Sequence, residues 1–327
     1  MAAFNLDETL QFAIDLAHSA GAIILDGARK REQMDDVDWD AILKKNTADL
    51  VTETDQATER HVKEKIAERF PDHEFIGEES WAAGEEPKLG DKPTWIVDPI
   101  DGTTNFVKGF SFHCISIGVC YQQRPVIGVI FSPALQTLYY ASSGNGAFRL
   151  SPADGGSPRR LPLAKRPAPL PSLKMAVVAV EWGSDRKRET IEKKTKAFAT
   201  LCGDADAGVE GGRMVQGVRS LGSAALSMSC VAEGSIDMWQ EIGCWAWDVC
   251  AGTVIVQEAG GVVLGSKADA LSSLSSPDFG HVTPQILQGR KYLVLRAIGD
   301  TDKESGSDAQ RRIAAEFYNA IDDWEAA

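Results

Sequence analysis

The sequence predicts a mixed fold, α+β through its first half and α/β through its second, and three observations carry that prediction. Alternation of apolar and polar residues in Cys114–Tyr121, Val126–Phe131 and Leu138–Ala141, with turn-rich Gln122–Pro125 and Ser142–Gly146 between them, writes an antiparallel meander. Beyond Pro171, strand-like and helical segments alternate. Between these regions, Ser151 to Pro171 holds six prolines, which no central helix or strand tolerates. The expected organisation is therefore an α+β half over residues 1–150, a proline-rich connection over 151–171 and an α/β half over 172–327.

Each element follows from its own pattern. A first helix is expected from Leu6 to Leu25, with Leu6, Leu10, Ala13, Ala17 and Ile24 on one face and Asn5 with Glu8 spaced as a capping box. The polar run that follows makes Arg29 to Thr47 a mobile loop. A second helix runs from Thr54 to Phe70 and is closed by Pro71. Phe75–Ile76 and Trp95–Val97 are short strands flanking the polar Glu78 to Lys92 region, and carboxylates stand at the ends of both. In the second half, Met175–Val180, Val262–Leu264 and Tyr292–Ala297 read as strands. Asp185–Thr200, Ser223–Glu233, Trp247–Ala259 and Asp308–Ile321 read as helices. Ser-rich Ser266 to Ser276 is expected to be an insertion loop, and no internal repeat is present.

Composition narrows the function classes. The chain has 327 residues, 34 basic against 47 acidic side chains and a net charge of −13, with 43% apolar residues, which is a globular balance. No run reaches the ~20 apolar residues of a membrane helix, and the amino terminus lacks a basic segment followed by an apolar signal core. The expectation is a cytoplasmic protein that binds neither membrane nor nucleic acid, since phosphate backbones are held by clustered Lys and Arg. The one basic cluster, Arg186, Lys187, Arg188, Lys193, Lys194 and Lys196, has the spacing of a solvated helix face. The six cysteines form no CxxC pair and read as reduced core thiols. His18, His61, His73, His113 and His281 form no metal motif and are assigned to packing or solvent.

The chemistry concentrates in WIVDPIDGTTNF, Trp95 to Phe106. Pro99 keeps Asp98 extended at the end of an apolar strand, and Asp101 arrives three residues later. Gly102 permits a tight turn, and Thr103, Thr104 and Asn105 open a helix whose free N–H groups suit an anion. Close carboxylates repel each other, and no Lys or Arg lies between Asp98 and Lys108 to neutralise them. Oxygen ligands without His or Cys suit Mg²⁺, which leaves coordination positions for phosphate oxygens. Acids also stand in GEES, Gly77 to Ser80, and in WDVCAG, Trp247 to Gly252. Taken alone, acids at strand ends such as Asp98 and Asp101 are also ordinary turn formers and helix caps, and Asp248 is more often a helix cap than a ligand.

Together GEES, DPIDGTTNF and WDVCAG, with VTETDQ from Val51 upstream, resemble the inositol monophosphatase family in order and spacing over Leu6 to Gly265. The resemblance implies a layered αβαβα sandwich, a homodimer, a site between the two halves, and magnesium-dependent, lithium-sensitive phosphatase activity. It implies two or three Mg²⁺ ions. Glu78, Asp98 and the carbonyl of Ile100 would hold one, and Asp98, Asp101 and Asp248 a second, while a third near Glu78 would supply the attacking water. Thr103, paired with Asp55, would activate that water, and the N–H groups of Gly102 and Thr103 would bind phosphate. Gly222, Ser223 and Ala224 would line the inositol ring, whose hydroxyls Asp101, Glu241 and Asp248 would accept. Lys44 falls where the family has a lysine on the loop before VTETDQ, with Lys45 adjacent. Trp245 departs from the smaller residue common near this pocket.

The implied activity is hydrolysis of myo-inositol monophosphates by activated water without a covalent intermediate, with Li⁺ as inhibitor. Hydrolysis of a nucleotide or sugar phosphate by the same superfamily chemistry stays open, as does a non-catalytic regulatory relative. A nucleotide specialist would need an adenine-binding segment, and none is evident. A degenerate relative would lose a ligand, and every acid named above is present.

Overall fold

In the computed structural model, residues 4–33, 47–85 and 87–326 are described. They group into two compact units, one made of Met1–Arg159 with Gly222–Leu226 and Trp247–Ile255, the other of Arg160–Leu221, Ser227–Ala246 and Val256–Ala327. No helix among the described residues is long and apolar enough to cross a membrane.

The first unit begins with α1 (Leu6–Glu32) and α2 (Thr47–Arg69). Asn5 caps α1 by accepting from the Glu8 N–H at 3.2 Å, and its side-chain amide donates to the Glu8 carboxylate at 3.3 Å. The helix runs two turns past Leu25, because the polar Arg29–Glu32 stretch still closes backbone hydrogen bonds and its basic residues complement the C-terminal dipole. The expected loop from Arg29 is thus helical through Glu32, and the rest of it, with Lys44 and Lys45, lies outside the described residues.

The sheet of this unit has the order β1 (Glu74–Gly77), β2 (Thr94–Asp101), β3 (Cys114–Tyr121), β4 (Arg124–Ser132), β5 (Thr137–Ser142), β6 (Gly146–Leu150), β7 (Arg159–Arg160). β1 and β2 are parallel, and β2 through β6 run antiparallel by adjacent hairpins. Two short helices, α3 (Glu78–Ala82) and α4 (Thr103–Lys108), follow β1 and β2 directly. α1 and α2 cover one face of the sheet, where Ala13, Ala17, Ile24, Val62, Trp95, Val97, Ile117 and Val129 are buried together. β2 is buried at every position, unlike a one-faced strand, because a second layer covers its other side.

That second layer is supplied from late in the chain by residues Trp247–Ile255, the body of a helix described below. Gly118 and Gly128 face each other across β3 and β4. A Cβ on Gly118 would collide with Cys250, and one on Gly128 with the backbone of Ala251. The glycine pair therefore lets a helix backbone lie directly on the sheet. Cys120 and Cys250 meet at this contact with sulfurs 3.7 Å apart as free thiols.

The second unit holds a five-stranded sheet ordered β11–β12–β10–β8–β9: β8 (Val177–Val180), β9 (Gly217–Arg219), β10 (Met238–Ile242), β11 (Val262–Leu264) and β12 (Lys291–Leu295). β9, β8 and β10 are parallel, and β12 runs antiparallel to both of its neighbours. The helices of this half of the chain are α5 (Arg188–Cys202), α6 (Ala224–Glu233), α7 (Ala246–Glu258), α8 (Lys267–Ser273), α9 (Pro284–Leu287) and α10 (Gly306–Ala320). The core joins Val178, Leu201, Met238, Leu293 and Leu295 to Ile313, Ala314, Phe317 and Tyr318 of α10.

Three expectations are corrected here. The Ser266–Ser276 stretch is not a plain loop, since Ser266 and Asp269 form a reciprocal capping box that starts α8. The basic cluster is not uniformly solvated, since Lys194 is only 7% exposed. Not every cysteine is a core thiol: Cys114, Cys120 and Cys250 are buried, whereas Cys202 is exposed and Cys230 and Cys244 are half-buried.

Candidate active site

The site is built at the end of β2. Asp98 is 2% exposed, and its Oδ1 accepts the Ile100 N–H at 2.9 Å, the turn that Asx residues make two positions on. β2 does not stop at Asp98 but continues to Asp101 through a register shift against β3, so both acids stay in the sheet yet escape strict alternation. Gly102 then takes φ +89°, a left-handed turn, and α4 starts. A Cβ on Gly102 would come within 3.1 Å of the Gly222 and Phe112 carbonyls, so glycine is also required sterically.

Asp101 is gripped by the start of α6. Its Oδ2 accepts the Ala225 N–H at 2.8 Å and the Ser223 hydroxyl, and its Oδ1 accepts the Ala224 N–H at 3.2 Å. The segment Gly222–Ala224, predicted to line a ring, is thereby fixed to the carboxylate predicted to hold a metal. Asp248 enters on the first turn of α7. Ser116 Oγ on β3 donates to the Trp247 carbonyl at 3.0 Å, anchoring that turn. One carboxylate oxygen each from Asp98, Asp101 and Asp248 lies within 4.8 Å of the others. These acids, separated by up to 150 residues in sequence, all belong to the first unit.

Glu78 begins α3, near enough to Asp98 for its charge to be felt there. What orients it is Glu59, a residue the sequence reading missed. Glu59 is buried on α2 and accepts the Glu79 N–H at 2.7 Å, the Ser80 N–H at 2.8 Å and the Ser80 hydroxyl at 2.5 Å. Its carboxylate does for α3 what a capping side chain normally does from within the chain. The available signal was its position four residues after Asp55, on the same face of α2.

Electrostatics marks the cluster as one awaiting positive charge. Burial first, then the neighbouring charges of Glu78, Glu79 and Glu59, pushes Asp55 up to about 8. Burial also raises Glu78 to about 7. Asp101 rises to about 7 through burial and the Asp248 charge, although three hydrogen bonds oppose the shift. Asp98 is held well above the carboxylate range by burial and by Glu78, Asp101, Asp248 and Asp55. Every neighbour named for Asp98 is itself an acid. Asp55 Oδ1 is buried and takes no hydrogen bond among the described residues. An all-oxygen donor set, mutual repulsion and an orphaned carboxylate oxygen together fit a hard divalent cation.

The family profile described as "Inositol monophosphatase family" matches residues 5–318. The chain belongs to the inositol monophosphatase family. It is 38% identical over 330 residues to Protein qutG of Emericella nidulans, covering 97% of this chain and 94% of that one. It is 37% identical over 336 residues to the quinic acid degradation cluster protein x of Neurospora crassa, covering 98% and 95%. Among solved structures it is similar to the inositol monophosphatase of Anabaena, with a TM-score of 0.66 and 26% identity over 97% of this chain and 95% of that one. The chain is a phosphatase of a metal-dependent family, its Asp98, Asp101 and Asp248 could hold a metal, and its alternating helices and two mixed sheets are the family fold.

Of the residues predicted for the site, Asp55, Glu78, Asp98, Ile100, Asp101, Gly102, Thr103, Gly222, Ser223, Ala224 and Asp248 are described in the first unit. Thr103 Oγ1 donates to the Ile100 carbonyl at 3.1 Å. Glu241 lies on β10 of the second unit and is 4% exposed, a buried rather than a surface acid. Trp245 is exposed, with the Arg290 guanidinium 3.9 Å from its ring centre. His113, buried against the edge of Phe106, is pushed down to about 4 by burial and by Arg31, in keeping with a packing role.

Proposed function

We propose that this protein hydrolyses myo-inositol monophosphates to inositol and phosphate, using water as the nucleophile and Mg²⁺ as the cofactor. The observation that carries the reading is the convergence of Asp98, Asp101 and Asp248, whose ligand oxygens lie within 4.8 Å of one another. Glu78, Asp98, Asp101, Asp248 and the Ile100 carbonyl would hold the magnesium ions. Bound there, magnesium supplies charge neutralisation for phosphate oxygens and a lowered pKa for water.

The remaining steps belong to the chain. Asp55 and Thr103 orient the attacking water, Asp55 through the carboxylate oxygen that takes no hydrogen bond among the described residues. The Gly102 and Thr103 N–H groups receive phosphate oxygens at the left-handed turn. Ser223 and Ala224, locked to Asp101, frame the polyol, and the Glu241 carboxylate accepts its hydroxyls. The reading extends to lithium inhibition and to a cytoplasmic homodimer.

A second reading takes its support from the quinic acid degradation cluster protein. In it, the ester is a phosphorylated cyclic polyol bearing a carboxylate rather than inositol, and the metal and phosphate residues keep the same roles. The two are separated by phosphate release from inositol 1-phosphate, glycerol 2-phosphate, adenosine 2′-phosphate and a phosphorylated hydroxy-cyclohexane carboxylic acid. Each is assayed with magnesium, magnesium plus lithium, or chelator. Fastest release from inositol 1-phosphate is the expected result. Equal or faster release from the carboxylic ester would replace the first reading with the second, and no release from any ester would end both.

A further inference from the structure

Lys194 stands out in the second unit because a lysine is rarely buried without a partner. Its helix, α5, carries an otherwise exposed basic set, with Lys196 in solvent and Lys193 paired to Glu189 at 3.0 Å. Lys194 instead turns inward. Its ammonium donates to the Trp182 carbonyl and lies 5.5 Å from the ring centre of buried Trp324.

What it faces is Glu241. Between them stands Gly183, in the left-handed region at φ +59°. A Cβ built on Gly183 would lie 3.3 Å from Lys194 Nζ and 3.4 Å from Glu241 Oε1, so both charged ends converge on one point that only a missing side chain leaves open. Asp185, Arg186 and Cys244 are the other titratable groups felt by the ammonium. Burial lowers Lys194, and Glu241 pulls it back up. A buried acid tends to take up a proton and a buried amine to lose one, whereas each keeps the other charged when they sit together.

We propose that Lys194 is a positioning residue that holds the Glu241 carboxylate ionised and aimed as the acceptor for substrate hydroxyls, and so sets the preference for polyol esters. The inference rests on the reading that Glu241 faces the polyol. An ionised carboxylate accepts several hydroxyl protons, while its protonated form loses acceptor capacity and the strength of a charge-assisted bond. Lys194 touches neither the ester nor the reacting water in this scheme, so its loss acts on binding.

The test measures selectivity, the ratio of kcat/KM for inositol 1-phosphate to that for phenyl phosphate, which has no hydroxyls to accept. Lys194→Met and Lys194→Gln are each expected to lower this ratio about tenfold, through KM for the polyol ester with its kcat kept within about twofold. Lys194→Arg, which retains the charge, should keep most of the selectivity. Glu241→Gln should lower it too, and the Lys194→Met/Glu241→Gln double variant should fall no further than Glu241→Gln alone. Unchanged selectivity in the lysine variants, or losses that multiply in the double variant, would overturn the proposal. Failure of both Met and Gln variants to fold would make Lys194 a structural residue and overturn it as well. A wild-type enzyme without preference for the polyol ester would show, before any variant is made, that the reading of Glu241 itself is wrong, and the role of Lys194 would fall with it.

Discussion

The two units bury charge in opposite ways. In the first, Asp55, Glu78, Asp98 and Asp101 are crowded at the ends of β1 and β2 and on α2, and the neighbours that shift them are chiefly other acids. In the second, buried charge finds a counter-charge within the unit. Arg296 meets Asp237 at 2.6 Å, Asp237 also accepts the Val177 N–H at 2.7 Å, and Lys194 faces Glu241 across Gly183. One arrangement leaves electrostatic work for something that binds; the other completes it on folding. The contrast separates acids that could hold a cation from charges that are paired within the fold.

The largest expected effect breaks the first arrangement. Asp98→Asn should cut magnesium-dependent phosphate release by more than about a hundredfold, since it removes the carboxylate shared by the proposed metal positions. The same change removes one of the repelling charges, so the chelated protein should melt a few degrees higher, by roughly 2–4 °C, in calorimetry. Loss of activity together with lower stability would contradict the picture of a repulsive cluster.

Next is the second arrangement. Arg296→Met leaves the half-buried Asp237 without its ion-pair partner and should cost about 3 kcal/mol in urea unfolding. A cost under about 1 kcal/mol would mean that the pair behaves as a solvated one. A smaller effect is expected at the sheet contact beneath Asp248. Gly128→Ala should destabilise by about 1–3 kcal/mol and lower turnover, because the added methyl displaces α7 at Ala251 and Asp248 rides on that helix. Stability loss with full activity would show that α7 can shift without disturbing the acids.

The smallest shift is also the most diagnostic of the contrast. Acids whose folded pKa is raised hold protons in the folded state that the unfolded chain has already released. Their stabilising contribution is present below the ordinary values near 3.8 to 4.5 and is lost as pH rises through about 7 to 8. The chelated protein should therefore have a lower urea midpoint at pH 8.5 than at pH 5, and magnesium should raise the midpoint more at the higher pH. A magnesium effect independent of pH would place the cation away from these carboxylates.

The site was legible in the sequence to an unusual depth, for a local reason. Pro99, Gly102 and the acids between them define a strand end, a left-handed turn and a helix start within a few residues, and the structure keeps each of those features. Glu59 was not legible, because its partners lie about 20 positions away and nothing in ATER distinguishes a buried acceptor from a solvated one. Lys194 reads as solvated from sequence because the spacing of basic residues on α5 shows which side chains share a face, not how the helix is rolled against a sheet. The Ser-rich segment reads as a loop on composition, yet Ser266 and Asp269 carry the capping signal of α8.

The amino-acid sequence alone determined the two long helices, strands β1 to β5 and the turn after β2 in the first half, and the family to which the chain belongs, but not the short helix α3 or strand β6. These follow from periodicity and from short motifs whose backbone requirements are satisfied within a few residues. The tertiary structure alone decided that Asp248 joins Asp98 and Asp101, that burial raises the affinity of Asp98 and Asp101 for protons, and that Lys194 turns inward toward Glu241. Proximity of residues distant along the chain, and the low dielectric that makes their charges felt, exist only once the layers have packed.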